Sequence, residues 1–295
     1  MEALLDFELH GLGVGFLLLI LLAGIWAGAI NTVVGSGTLV TFPVLVAMGV
    51  PPVSATISNA MGLIAGGFTG AWGYRREIVK VKPVLAKLVP ASFLGGVVGA
   101  TLLVTLPEEI FGRVAPALIV LSLAMVLAQP KLSAWVKGRA AEQAADPQTP
   151  SPGDAPEAAA AKAARSVKWP LILLVFLAGV YGGYFVAAQG ILLMGVLGIF
   201  LASTIQQANG VKNLLVAVVN LVAGINYLIV DYLLREPDER MILWGVVAII
   251  AVGSTFGGLI GAWVGRRLSP VVLRSVIITL GLVALTVMIR DLIVG

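Results

Sequence analysis

Polar side chains are concentrated in two short parts of an otherwise apolar sequence, the second about 155 positions after the first. Both parts supply amide and hydroxyl groups, which donate hydrogen bonds, and the second adds a lysine. Such donors suit a small oxyanion such as a sulfonate, a sulfite or a carboxylate. Both parts have almost none of the Asp, Glu, His and Cys that a metal ion would need, so no metal site is predicted. The candidate substrate-binding residues are Asn31, Thr32, Ser36, Gly37, Thr38, Asn59, Gln189, Gly190, Asn209, Lys212 and Asn213.

Each polar part coincides with a break in a membrane-type helix. Asn31 and Thr32 are expected to interrupt the first helix, and Gln189 marks the corresponding break in the second half. A short apolar run follows each break, at residues 38–48 and 191–201, and is about half as long as a bilayer crossing requires. We therefore predict helix hairpins whose free N–H groups and positive helix ends point into the protein.

The composition is that of an all-α polytopic membrane protein. Of the 295 residues, 59% are hydrophobic and 12% are charged, against about 25% charged in soluble chains. The formal net charge of +4 comes from basic residues in short loops, which indicates membrane orientation and not a nucleic-acid partner. The predicted helices are residues 12–30, 53–74, 84–106, 111–127, 170–187, 204–232, 241–264 and 271–289.

Enzymatic functions are disfavoured by what the sequence lacks. There is no cysteine, and the serines at Ser36, Ser92 and Ser254 have no plausible base beside them. No glycine-rich phosphate-binding loop is present, so the chain offers no ATP drive. We predict no catalytic residue and no cofactor. The acidic N-terminus lacks the basic region of a cleaved signal peptide, so the first helix is expected to be retained.

The two halves repeat the same pattern. The motif SFLGGVVGA at residues 92–100 matches STFGGLIGA at 254–262, and AGIWAG at 23–28 matches AGVYGG at 178–183. The glycines of the first pair form a small-residue packing face, and we place no ligand there. Matches in the same order in both halves indicate an internal repeat.

A hydrophilic segment separates the two repeats. Residues 131–168 are rich in Ala, Pro, Gln and charge, cannot bury a core, and are predicted to be a flexible cytoplasmic linker. Residues 1–130 are then the first membrane repeat and 169–295 the second.

Corresponding loops of the two repeats carry opposite charge. The loop at residues 75–82 is basic while that at 235–240 is acidic on balance, and Glu108 and Glu109 correspond to Arg266 and Arg267. If basic loops are cytoplasmic, the repeats are inverted relative to each other, each with a re-entrant hairpin and three full spans. A plain reading of eight spans, in which each broken pair crosses once, is the alternative.

Two polar features have simpler alternative interpretations. Gln206 and Gln207 could cap the start of a membrane helix. Lys212 could extend to the headgroup region, although it follows that start by eight residues.

The glycine and asparagine pattern resembles the TauE/SafE sulfite exporter family. It is carried by Ala23-Gly24, Gly28, Ile30-Asn31-Thr32, Gly35, Gly37, Pro43, Pro51-Pro52 and Ser58-Asn59, and in the second half by Ala178-Gly179, Gly182-Gly183, Gly190 and Lys212-Asn213. Many members have a Thr-Asn-Lys-like run where this chain has Ser58-Asn59-Ala60, which leaves Lys212 as the candidate cation.

The resemblance implies a multi-pass transporter in the prokaryotic plasma membrane, or cell inner membrane. Its expected function is export of a small sulfur-containing anion, such as sulfite, sulfoacetate or a related organosulfonate, by alternating access coupled to protons. An anion or small-solute channel and a non-transporting membrane scaffold are the alternatives. The expected partners are the anionic substrate, protons and the lipid bilayer; the sequence carries no signal for an oligomeric state.

Overall fold

The computed structural model describes residues 14–145, 163–201, 203–264 and 270–294, and all regular structure within them is helical. One short 3₁₀ turn lies at Pro237–Glu239. The helices are α1 (Val14–Val33), α2 (Thr38–Ala47), α3 (Pro52–Gly73), α4 (Arg75–Lys80), α5 (Lys82–Thr105), α6 (Glu108–Ala145), α7 (Trp169–Tyr184), α8 (Gln189–Phe200), α9 (Ile205–Leu233), α10 (Trp244–Val264) and α11 (Pro270–Val294).

The helices are those of a protein surrounded by lipid. Helices α1, α5, α6, α9 and α10 are each long and apolar enough to cross a membrane, while α2, α7 and α8 are apolar but shorter. Large apolar side chains such as Leu18, Phe93 and Leu127 are about half exposed, as a lipid-facing surface requires. The prediction of a polytopic helical membrane protein is confirmed.

Helices α1, α3 and α10 run parallel, and we call them the first bundle. Gly28 of α1 lies against Ser254 of α10. On α3, Gly62 lies against Ile250 and the later Gly73 against Ala262, so residue numbers rise together on both helices.

Helices α5, α7 and α9 form a second parallel bundle. Gly95 of α5 lies against Val180 of α7, and later on α5 the Thr101 hydroxyl accepts a hydrogen bond from Asn226 of α9 at 3.1 Å. The Ser92 hydroxyl donates to the Leu215 carbonyl at 3.4 Å, again in rising order.

The two bundles run in opposite directions. Between α3 and α9, Gly67 lies against Ala217, whereas the later Tyr74 lies against the earlier Gly210. Helices α1, α3 and α5 of the first repeat are therefore antiparallel to α7, α9 and α10, their counterparts in the second, and the predicted inverted repeat is confirmed. Each bundle also contains helices of both repeats, because α5 and α10 have exchanged places.

The broken segments are hairpins. Gly37 lies so close to the Ala27 carbonyl that a side chain on it would overlap that oxygen. Residues ten apart on one continuous helix would be about 15 Å apart, so the chain reverses between α1 and α2. Because α1 and α3 are parallel, α2 must return between them, and α8 must likewise return between α7 and α9. The single-crossing alternative is therefore wrong.

Several predicted boundaries differ from the structure. Asn31 and Thr32 do not interrupt α1; they form its last turn, because the Thr32 hydroxyl folds back onto the Gly28 carbonyl at 3.0 Å and leaves the helix intact. Helix α6 continues to Ala145, well beyond residue 127 and into the segment predicted as linker. The residue bounds given for the two repeats and the linker stay a prediction. Arg266 and Arg267 lie outside the described residues.

Two engineered cysteines test the orientation, since the chain has no native cysteine. Arg76 lies just after the end of α3 and Asp238 just after the end of α9, and both are exposed. Because α3 and α9 are antiparallel, the two residues lie on opposite sides of the membrane. We expect Asp238→Cys to react with an impermeant maleimide in intact cells, and Arg76→Cys to react only in inverted vesicles. Labelling of both from the same side would contradict the antiparallel arrangement.

Candidate functional site

The two hairpin tips meet in the protein core. The first tip (residues 34–37) touches the second tip (residues 185–190) where Gly35 and Gly190 face each other, and the Gly190 N–H donates to the Gly35 carbonyl at 3.0 Å. Gly35 has φ +86°, which favours glycine, and a side chain on either glycine would collide with the other's backbone. The inverted repeats are thus joined at their equivalent breaks.

The short helices begin at these tips without side-chain caps. The N-cap positions are Gly37 for α2 and Ala188 for α8, and neither has a side chain that can accept a hydrogen bond from the first turn. Both helices direct their positive ends toward the tips, and the Gly190 N–H in the first turn of α8 is bound to the Gly35 carbonyl. Beside them, the Ser36 hydroxyl and both polar atoms of the Gln189 carboxamide are buried and have no hydrogen-bond partner.

A buried lysine links the two bundles beside the first tip. Lys212 of α9 is 1% exposed, and its ammonium donates to the Thr32 carbonyl of α1 at 3.2 Å. The Asn213 carboxamide donates to the same carbonyl at 3.3 Å. No carboxylate pairs with Lys212 among the described residues. The side chain is therefore directed into the protein and not toward lipid headgroups.

Asn59 is bound within the first repeat. Its Oδ1 accepts a hydrogen bond from the Thr41 hydroxyl, and its Nδ2 donates to the Thr38 hydroxyl at 3.0 Å. These bonds fix the start of α2 against α3 and use the polar groups of Asn59. Asn213 binds the Thr32 carbonyl, and Thr32 packs against Gly70 of α3. Asn213 therefore lies at the level of Gly70, which is about 16 Å along α3 from Asn59. The structure does not bring Asn59 and the Lys212 group together.

The other predicted residues surround the first tip. Asn31 is half-buried with its Cβ against Gly37, and Gly37 itself packs on α1. Gln207 forms a capping box with Thr204, so its interpretation as a helix cap is confirmed.

Asn209 faces a cavity of about 180 Å³ that lies between the first tip, α6, α8 and the start of α9. Gln129 and Ser133 of α6 share this cavity and remain partly exposed, so it opens to the surface. The cavity is on the side where α7 and α9 begin, which is also the side of the basic residues 75–82. Sequence reasoning missed both α6 residues because it ended that helix before them.

Asn220 is a further buried polar residue that the sequence prediction omitted. It is fully buried on α9, and neither polar atom of its carboxamide has a partner. It follows Asn213 by seven residues and so occupies the same face of the helix. An amide at that spacing in an apolar helix was the available signal.

The arrangement offers hydrogen-bond donors, helix N-termini and one buried cation around the meeting tips. No group of acidic, histidine or cysteine side chains able to hold a metal ion occurs in the described part of the chain. The chemistry that these groups support is recognition of a small anion.

One family model and several curated membrane proteins match this chain. The model of the family described as Sulfite exporter TauE/SafE matches residues 20–288. A "Probable membrane transporter protein" of Haemophilus influenzae is 28% identical over 122 residues, which are 41% of this chain and 48% of that protein. "Probable membrane transporter protein YfcA" of Escherichia coli K12 is 27% identical over 107 residues, 36% of this chain and 39% of YfcA.

The chain thus matches about half the length of these curated relatives, or less. No solved structure matches the chain significantly.

Two glycines with the same backbone conformation test the tip contact. Gly35 (φ +86°) lies against Gly190, while Gly49 (φ +84°) has no atom near its missing side chain. We expect Gly35→Ala and Gly49→Ala each to lose about 1 kcal/mol to the left-handed backbone. Only Gly35→Ala should lower the thermal midpoint in detergent further, because it also separates the tips. Equal midpoints would contradict this role for the contact.

Proposed function

The chain belongs to the TauE/SafE sulfite exporter family, and from this membership and the site we propose that it is a secondary transporter exporting a small sulfur-containing anion across the plasma membrane. Sulfite, sulfoacetate and related organosulfonates are the proposed substrates. The observation that carries the proposal is the buried Lys212, which binds the Thr32 carbonyl near the first tip and has no carboxylate partner among the described residues.

The charge of Lys212 favours an anion as the missing partner. An ammonium group removed from water is stabilised only by an opposite charge or by several acceptors. The Thr32 carbonyl supplies one acceptor, which also accepts a hydrogen bond from Asn213. A bound sulfonate or sulfite would supply the negative charge and further acceptor oxygens.

The two bundles provide the moving parts for alternating access. Lys212 and Asn213 belong to the second bundle, and their shared acceptor, Thr32, belongs to the first. An anion that draws Lys212 away from Thr32 would loosen a contact between the bundles. The cavity containing Asn209 reaches the first tip from the side of the basic loop, which supports an inward-facing arrangement.

Coupling to protons is part of the proposal and derives from the family. Asp231 is not a free carrier, because its carboxylate oxygens accept hydrogen bonds from the Met241 and Ile242 N–H groups at 2.8 and 3.2 Å. If transport is proton-coupled, a protonophore should abolish export of labelled sulfite from energised vesicles.

Counterflow separates a carrier from a channel. Purified protein in proteoliposomes loaded with unlabelled sulfite or sulfoacetate should concentrate the labelled anion transiently and with saturation, since a carrier exchanges one bound molecule for another. Protein-free liposomes are the control. Flux without counterflow would indicate a channel, and absence of flux for every anion tested would favour a scaffold.

Two lysines that both bind a main-chain carbonyl test the electrostatic role. Lys212→Gln should weaken the apparent affinity for sulfite at least tenfold, because a neutral amide keeps the hydrogen bond to Thr32 but loses the charge. Lys87→Gln is the control: its ammonium donates to the Ala164 carbonyl at 2.9 Å near the surface and should leave affinity unchanged. Equal sulfite affinities in the two variants would contradict a role for the Lys212 charge in anion binding.

A further inference from the structure

Three fully buried polar side chains at the protein centre have no hydrogen-bond partner. They are Ser36 and Gln189 on the two tips and Asn220 on α9, with relative exposures of 0 to 1%. A buried polar group without a partner is costly and uncommon in folded proteins. Three such groups near one point indicate a ligand that would complete their hydrogen bonds.

Contacts of neighbouring residues place the three residues in the same region of the core. The touching glycines of the tips, Gly35 and Gly190, bring Ser36 beside Gln189. The Gln189 carboxamide then lies against Gly182 of α7.

Asn220 belongs at the same level. Gly96 of α5 contacts both Gly183 of α7 and Val219 of α9. The residues next to these two in sequence, Gly182 and Asn220, therefore lie at about the same level. Gly182 is the residue that the Gln189 carboxamide contacts. Asn220 also shares a face of α9 with Tyr227, whose hydroxyl donates to the Gly183 carbonyl at 2.6 Å. That face is therefore directed at α7 and the tips.

The hydrogen-bond donors and acceptors of these groups restrict the kinds of ligand that can bind. Each carboxamide has two donor hydrogens and one acceptor oxygen, and both kinds of atom are unpartnered in Gln189 and in Asn220. An oxyanion with acceptors alone would leave the two carboxamide oxygens unpaired. A ligand that also carries an O–H or N–H group would satisfy donors and acceptors together.

We propose that Gln189, Asn220 and Ser36 form a neutral subsite that selects oxyanions bearing their own hydrogen-bond donor. Hydroxyalkane sulfonates, aminoalkane sulfonates and singly protonated sulfite have this chemistry. The proposal rests on the proposed function, in which Lys212 attracts the anion; because Lys212 precedes Asn220 by about 12 Å along α9, the subsite adds a requirement on the uncharged part of the substrate. Asn220 is the residue that it newly assigns to substrate contact.

A pair of almost isosteric sulfonates tests the subsite. Isethionate (2-hydroxyethanesulfonate) has a hydroxyl donor, and propane-1-sulfonate has a methyl group in its place, so their affinities for the purified full-length protein can be compared by thermal stabilisation and calorimetry. We expect wild-type protein to prefer isethionate about tenfold, the worth of one well-placed buried hydrogen bond. Asn220→Leu should remove the preference.

Matched variants distinguish substrate contact from a structural role. Asn226→Leu alters the same residue type on the same helix, but Asn226 faces Thr101, so the preference should remain. Asn220→Leu should not lower the thermal midpoint without ligand, since it removes unpaired polar atoms. Gln189→Met keeps a similar shape without polar atoms and should reduce the preference as Asn220→Leu does.

The outcomes separate this inference from the proposed function. Equal affinity of wild-type protein for the two sulfonates, or a preference that survives Asn220→Leu, would overturn the subsite. Loss of counterflow for all sulfur anions with the isethionate preference intact would overturn transport and leave the subsite standing.

Discussion

The constraint on which this structure depends is that backbone groups inside a membrane must be hydrogen-bonded within the protein. Two broken helices would expose such groups to lipid if each stood alone. The chain resolves this by bringing both breaks to the same place, where the Gly190 N–H binds the Gly35 carbonyl and each glycine leaves room for the other. The inverted repeat is the arrangement that lets two equivalent breaks cover each other.

Exchange of helices between the repeats follows from that meeting. To bury both tips, α10 of the second repeat packs beside α1, and α5 of the first packs beside α7. These contacts are close enough that glycines line them: Gly28 and Gly257 serve the first bundle, and Gly99 and Gly183 the second. The small-residue motif that identified the repeat is therefore also the reason that its helices can exchange partners.

The sequence predicted the repeat, its inversion and the hairpins, because periodic glycines and loop charges depend on local pattern alone. It did not predict which polar groups are satisfied. Asn59 and Asn213 occupy equivalent positions, yet Asn59 is bound to Thr38 and Thr41 while Asn213 reaches across to Thr32. Asn220 was missed because burial without a partner is a property of packing. The end of α6 was also missed, since a composition typical of linkers does not prevent helix formation.

The difference between the halves makes the site electrostatically asymmetric. Ser58, the counterpart of Lys212, accepts a hydrogen bond from the Leu243 N–H at 3.0 Å and so helps to fix the start of α10. The same position thus supports the fold in one repeat and carries charge in the other. An anion arriving from the side of the basic loop meets the ammonium group before it reaches the midplane, and no equivalent cation stands at position 58 beyond the tips. A charge near one end of the path speeds capture of anions from that side, while the direction of net flux is set by the electrochemical gradients of the anion and of any coupled ion.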